Sequence, residues 1–298
     1  MQTRCNKWQA TLMLLALLPA WGFAASAEQQ QSWVDIPQQQ LVYLQLSDGD
    51  KAVGQVVLQL ADPFTPKTSV RFRQLVQDRF YDGLAFYRVI DQFVLQAGLP
   101  ENETHPAKLT KSYPPLPVEF SWPIRSDDSY TPVQSGDLLA EETGFNQGFA
   151  VGRAKGREWL IHCPNLVNMA RDTNPASATT DFAIMQGQAP RHLDQNMNVF
   201  GRVIWGTEVL NLIPRGDKAA GGMLAANMRR GVIVSARLGS ELPTKAQLPL
   251  QQQLTSSADF QQMLQRRRAR ADEFYQDKGN GKLDICYLGA PVRLKTAQ

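Results

Sequence analysis

Short apolar runs bounded by turn residues recur along most of this chain, and they constrain its fold more than any other feature. Strand-like runs fall at residues 41 to 46, 54 to 60, 84 to 97, 149 to 152, 166 to 170, 181 to 186, 199 to 204 and 232 to 238. The first two are joined by the polar turn Ser47 to Lys51 and read as a hairpin. Helical signals are few. Thr65 as N-cap, Pro66 at the first helical position, and Phe72, Leu75 and Val76 on one face predict a helix ending near Asp78. A shorter helix is expected around Glu208 to Leu212. Many short strands with two helices describe a mainly β domain that closes into a barrel.

One of these runs carries a charge that needs a reason. Phe86-Tyr87-Arg88-Val89-Ile90, followed by Phe93 and Gln96-Ala97-Gly98, sets an arginine among apolar residues at alternating spacing, where a strand aims them into a shared pocket. A half-buried guanidinium keeps its charge and its five donors, so it either pairs with a carboxylate or grips a ligand. Both readings are open on this stretch alone.

The wider text resembles the cyclophilins, a family of peptidyl-prolyl isomerases. That family carries Phe-His-Arg-Val-Ile, then Phe, then Gln-Gly-Gly, preceded by the turn that stands here as Tyr81-Asp82-Gly83. Its Leu-Ser-Met-Ala segment reads Leu166-Val167-Asn168-Met169-Ala170 here, its Phe-Phe-Ile strand reads Phe182-Ala183-Ile184, and Leu193-Asp194 precedes Val199-Phe200-Gly201-Arg202-Val203. The match spans about residues 41 to 240. The resemblance implies an eight-stranded antiparallel barrel closed by two helices. Small barrels fill their interior with side chains, so a proline-peptide groove belongs on the outside. It further implies that Arg88 is catalytic, that Phe93, Val94, Leu193 and Met197 line a proline pocket, that Gln96 orients the guanidinium, and that Ala170 with Arg171 offers backbone to the substrate. Phe93 and Leu193 also read as core residues, Leu193 equally so; a surface amide is the lesser reading of Gln96, given its fixed spacing from Arg88, while Phe200 is assigned to the core. The reaction implied, rotation about an X-Pro bond, needs no nucleophile, metal or cofactor, and none is expected.

Departures from the family pattern cluster in the groove. Tyr87 stands for its His, Asp181 for its Gln, Ala183 for its second Phe, His192 for its Trp and Met197 for another His. Ala183 removes a large ring, worth about 1 to 3 kcal/mol of apolar contact. A carboxylate at Asp181 that reached Arg88 would compete for its donors, in which case Asp181→Gln should raise activity. Two functions follow: an isomerase acting on proline-containing segments of unfolded or exported proteins, or a proline-peptide binding module or chaperone that has lost most catalysis. None of His105, His162 and His192 sits in a His-Glu-x-x-His pattern, and no Gly-x-Ser-x-Gly or phosphate loop occurs.

The remaining segments bear on location and organisation. Residues 1 to 27 hold Arg4 and Lys7, an apolar run from Leu12 to Phe23 and Ala25-Ser26-Ala27, the pattern of a secretory signal and too short to span a bilayer comfortably. Export to the periplasm is expected. Without that segment the chain has 29 basic against 28 acidic residues, a net +1 that favours neither nucleic acid nor an anionic membrane. The Arg266-Arg267-Arg268 and Arg270 cluster reads as the solvated end of a helix. Cys163 and Cys286 are the two thiols left; a disulfide, two separate buried thiols, or a metal site with His162 are the readings, the first favoured by an oxidising compartment. The isomerase-like domain is expected over residues 28 to 240, with a loop-rich insertion at about 99 to 147. An extension, residues 241 to 298, is expected to pack on the barrel through a helix. That helix is capped by Ser256 or Ser257 and carries Phe260, Met263, Leu264, Ala271 and Phe274 as its stripe, and Ile285 to Leu288 reads as a final strand.

Overall fold

A computed structural model describes residues 32–100, 103, 112–126 and 129–296; the expected signal segment lies outside the described residues. In chain order the first elements are β1 (Trp33–Asp35), β2 (Leu41–Ser47), β3 (Ala52–Leu60), α1 (Pro66–Gln77), β4 (Ala85–Ile90) and β5 (Val94–Gly98). Next come β6 (Trp122–Pro123), β7 (Tyr130–Ser135), β8 (Glu142–Asn146), β9 (Phe149–Ala154) and β10 (Arg157–Leu160). The rest are β11 (Leu166–Met169), β12 (Phe182–Met185), β13 (Val199–Trp205), β14 (Val232–Leu238), β15 (Leu250–Gln253), α2 (Ala258–Ala269) and β16 (Val292–Leu294).

Eight of these strands close an antiparallel barrel in the order β11-β12-β5-β4-β14-β2-β3-β13, as the sequence leads one to expect. Alternation explains who faces inward. Val42, Leu44, Leu46, Val56, Leu58, Phe86, Val89, Leu95, Phe182 and Ile184 fill the interior with almost no exposure. The helix α1 adds Phe72, whose ring lies 5.4 Å from that of Phe182 and 4.5 Å from that of Phe200. Thr65 occupies the N-cap but its side chain makes no cap bond. The carboxylate of Glu119 does that work from a distant loop, accepting from the amides of Lys67 at 3.1 Å and Thr68 at 2.8 Å. A carboxylate there also meets the positive end of the helix dipole. The second expected helix is a 3₁₀ turn, Thr207–Leu212.

Two further sheets cover the outside of the barrel. The first runs β6-β10-β9-β8-β7, and three of its strands come from the stretch whose composition reads as loop. Its prolines explain the misreading: Pro123 lies in one edge strand, and Pro132 lies in the other at a bulge, the places where a missing N–H costs nothing. Buried Glu158 fastens this sheet, accepting from Trp122 and Asn146 at 3.0 Å each and from Arg153 at 2.7 Å. The second sheet, β1-β15-β16, covers the outer face of the β2 and β3 hairpin, where Leu41, Tyr43 and Val57 meet Ile36 and Leu250. With both faces covered, β2 is apolar almost throughout.

The C-terminal extension differs from expectation in three ways. Ser257 caps α2, but Phe260 and Leu264 pack on Val133, Phe145, Trp159 and Ile161 of the five-stranded sheet rather than on the barrel core. The helix stops at Ala269 because Arg270 turns left-handed at φ 44, so Ala271 and Phe274 fall outside the stripe and Phe274 is 83% exposed. Ile285–Tyr287 is a 3₁₀ turn that buries Ile285, and the last strand is β16. The disulfide Cys163–Cys286 ties this turn to the segment before β11.

One cation joins all three layers. Arg202 on β13 donates to Gln59 on β3 at 2.9 and 3.1 Å, to the Gly148 carbonyl between β8 and β9 at 2.6 Å, and to Gln252 on β15 at 2.6 Å. Its guanidinium also lies 4.9 Å from the Phe149 ring. Burial pulls its pKa down to about 10, which leaves it charged at neutral pH. Replacing it by a thioether strands three acceptors at once. Arg202→Met is expected to lower unfolding free energy by roughly 2 to 4 kcal/mol, read from the urea midpoint.

Candidate active site

The barrel's outer face at β4, β5 and β12 carries the expected residues in register. Arg88 pairs across to Gln96, and Gln96 pairs across to Ala183, so the three form a row over three strands. One step along, Ile90, Val94 and Met185 form a second row, and they share an apolar cluster with Ala183, Leu166 and Val199. Phe93 and Leu193, both half-buried, pack against this cluster. A tight turn at Gln92, φ 60, presents Phe93, whose amide donates to Ile90 and whose carbonyl accepts from Gln186. Phe149, Val151 and Leu160 of the five-stranded sheet complete the cluster, so the added sheet walls the flank of the groove.

Arg88 is not ion-paired among the described residues. Its Nε donates to the Gly221 carbonyl at 3.0 Å and its Nη1 to Gln96 Oε1 at 3.2 Å, which leaves Nη2 without a partner among the described residues. The Gly221 carbonyl is in reach because segment 216–224 lies along β4 where the barrel seam is thin. There β14 meets β4 only at Val232 and Ala85, while Val89 donates to Gly222 and Leu224 to Tyr87.

Asp181 lies elsewhere than its feared position against Arg88. Its Oδ2 accepts from the Tyr87 hydroxyl at 2.7 Å, and its Oδ1 from Leu99 N–H at 3.2 Å and the Thr180 hydroxyl at 3.0 Å. Tyr87 in turn accepts from Gln96 Nε2 at 2.5 Å. Burial, and then the nearby Asp181 charge, push the Tyr87 phenol well above its ordinary pKa. Tyr87 sits at a bulge between Phe86 and Arg88, which turns its ring to this inner side.

Other expected residues scatter. Ala170 donates its N–H to the Asp181 carbonyl at 2.8 Å, so only its carbonyl can serve a peptide. Arg171 spends its guanidinium on the Asn196, Asp172 and Thr173 carbonyls and thereby holds its own loop to the one before β13. Met197 is half-buried and outside the apolar cluster, and His192 is exposed. Leu193 is held indirectly. Asp194 accepts from Arg191 at 2.7 Å and from the backbone N–H of buried His162 at 2.8 Å, and Arg191 reaches Asp137, between β7 and β8, at 2.8 Å. Burial would raise the Asp137 carboxyl, but the Arg191 and Leu139 hydrogen bonds outweigh it and hold the group below its usual value.

Sequence reasoning missed Met185 and the importance of Tyr87. Met185 is two residues beyond Ala183 on the same strand, so the period-2 rule alone places it on the groove face. Tyr87 could not be found so, because its orientation depends on the bulge. Among the described residues no group of three or more His, Cys, Asp or Glu could hold a metal ion.

This fold and face belong to a recognisable class. A sequence model of the family described as cyclophilin type peptidyl-prolyl cis-trans isomerase/CLD matches residues 42–236. The chain belongs to that family and is an enzyme of its type, a peptidyl-prolyl cis-trans isomerase. Among relatives, a probable peptidyl-prolyl cis-trans isomerase of Brucella suis is 28% identical over 189 residues, covering 61% of this chain and 74% of its own. A peptidyl-prolyl cis-trans isomerase of Streptomyces antibioticus is 28% identical over 169 residues, covering 54% of this chain and 78% of its own. The crystal structure of a cyclophilin from Hirschia baltica superposes with a TM-score of 0.68 at 22% identity, covering 89% of this chain and 94% of that one.

Gly98 makes room for the carboxylate. A Cβ on it would lie 2.2 Å from Asp181 Cγ, at a φ of +149 that side chains rarely adopt. Gly98→Ala is expected to destabilise the fold by about 1 to 3 kcal/mol, measured by urea unfolding.

Proposed function

We propose that this isomerase uses Arg88 as its catalytic donor, over an apolar floor of Phe93, Val94, Ala183, Met185 and Leu193 that holds the proline ring. The observation that carries the reading is a guanidinium whose Nη2 edge has neither a hydrogen-bond partner nor a carboxylate against it among the described residues, set beside that floor. The chemistry asks for little more. Amide resonance gives X-Pro rotation a barrier of about 18 to 20 kcal/mol. Only an interaction stronger in the twisted state than in the planar one lowers it. Twisting returns a lone pair to the prolyl nitrogen, and a fixed cationic donor aimed at that nitrogen meets charge that the planar amide does not offer. The Ala170 carbonyl is available to the peptide backbone, and Gln96 holds one arm of the guanidinium.

The substrates are proline-containing segments of proteins folding after export, where slow X-Pro isomerisation limits the rate. Residues 1–27 act as the export signal on this reading, and the periplasm is the destination. A disulfide is at home in such an oxidising compartment. Among the described residues no helix is long and apolar enough to cross a membrane. The near-neutral remainder of the chain gives no electrostatic pull toward nucleic acid or membrane. Residues 28–240 form the catalytic unit on this reading, and 241–298 serve to brace the added sheet.

An NMR exchange assay on an X-Pro peptide tests the assignment. Arg88→Ala is expected to lower the catalysed rate roughly 10²- to 10³-fold, the cost of losing one preorganised donor to transition-state charge. Peptide binding should persist. Equal exchange in parent and variant would leave the groove a proline-peptide binding site without Arg88 catalysis.

A further inference from the structure

We infer that Asp181 is a positioning residue: acting through Tyr87 and Gln96, its carboxylate sets the direction of a one-way chain of hydrogen bonds that ends on the Arg88 guanidinium. The inference rests on the reading of Arg88 as the catalytic donor.

The direction follows from what each group can do. An ionised carboxylate only accepts, so the proton of Tyr87 is committed to Asp181 Oδ2, at 2.7 Å. The phenol oxygen is then an acceptor toward Gln96, and it receives Nε2 at 2.5 Å. With its amide nitrogen spent there, Gln96 must turn Oε1 to Arg88, where it accepts from Nη1 at 3.2 Å. Left alone, the Gln96 amide has two orientations of equal shape, and the wrong one sets an N–H against a guanidinium N–H. The carboxylate, two residues removed from the guanidinium, excludes that orientation without touching it. Burial of the Tyr87 side chain keeps water from supplying an alternative partner.

The surroundings are built for this polarity. Asp181 Oδ1 accepts from the Leu99 amide and the Thr180 hydroxyl, and Oδ2 accepts from Tyr87. The absence of a side chain on Gly98 lets the carboxylate lie there at all. An asparagine at 181 would keep its oxygen against those two donors and so present its NH₂ to Tyr87. Tyr87 would then accept from residue 181 and donate to Gln96 Oε1, and the amide nitrogen of Gln96 would face Arg88. The isosteric change reverses both hydrogen bonds of Tyr87 and breaks the one to Arg88, whose guanidinium cannot accept, while preserving the shape of the chain. The two unlike residues at 87 and 181 therefore work as a pair, and Asp181 supports the guanidinium instead of competing for it.

The test compares parent, Arg88→Ala, Asp181→Asn and Tyr87→Phe by X-Pro exchange, with the ¹⁵N–¹H signal of the Arg88 Nε–H, identified by its loss in Arg88→Ala, as a second readout. Asp181→Asn and Tyr87→Phe are each expected to lower kcat roughly tenfold, the scale of one hydrogen bond to a charged group, with KM within about twofold. Both should also shift the Arg88 signal. Tyr87→Phe keeps the ring and its packing, so it reads the chain even if the asparagine variant folds poorly. Arg88-dependent exchange that neither variant alters, with the Arg88 signal unmoved, overturns the positioning role alone. Exchange that Arg88→Ala leaves intact overturns the catalytic reading and the positioning role with it. Asp181→Asn behaving as parent while Tyr87→Phe loses activity also overturns the inference, because packing rather than direction would then be what matters.

Discussion

Arg202 is the point on which the three layers of this protein depend. A cation in a part-buried position is tolerated only when its donors are met, and here the acceptors come one from the barrel, one from the five-stranded sheet and one from the C-terminal sheet. The partners are neutral amides and a carbonyl, so no carboxylate has to be desolvated beside it, while the ring of Phe149 supplies a further favourable face. The arrangement ties the orientation of both added sheets to a single strand of the barrel. It also demands close approach: a Cβ on Gly148 would lie 2.1 Å from Gln252 Nε2.

The added sheets matter to the groove because they cover barrel surface that would otherwise be wet. Phe149, Val151 and Leu160 join Ile90, Val94 and Met185 in one apolar cluster, so the floor of the groove is shared between barrel and insertion. The Asp137 to Arg191 to Asp194 to His162 series continues that attachment in polar form and holds the turn that carries Leu193. The loss of a large ring at Ala183 therefore occurs in a groove whose wall is reinforced from outside the barrel. Arg88 stands at the other edge, held among the described residues by one carbonyl and one amide, both neutral dipoles.

Much of the barrel was legible because its strands are short, regular and bounded by turns, and because the family blocks surround Arg88, Phe93 and Gln96 in order. The five-stranded sheet was not, since its edge strands contain prolines that read as loop until their position at an edge or bulge is known. The limits of α2 were misread for a local reason: periodicity continues to Phe274, but the left-handed turn at Arg270 ends the helix. Asp181 was weighed as a competitor of Arg88 because it stands where the family carries a groove Gln; it precedes β12, and β5 separates that strand from β4. The bulge that inserts Tyr87 between them has no signature in composition.

What the sequence alone determined was the period-2 burial pattern of the barrel, the start of α1 at Pro66 and the chemistry of an arginine among apolar groove residues. Each follows from neighbours a few positions apart along the chain. Tertiary structure decided everything that depends on partners far apart in sequence. Glu119 caps a helix more than fifty positions away, Arg202 finds Gln252, Cys163 meets Cys286, and Asp181 meets Tyr87 across 94 positions. Hydrogen bonds and side-chain packing act over a few ångströms of space, and only the closed barrel brings those residues within that range.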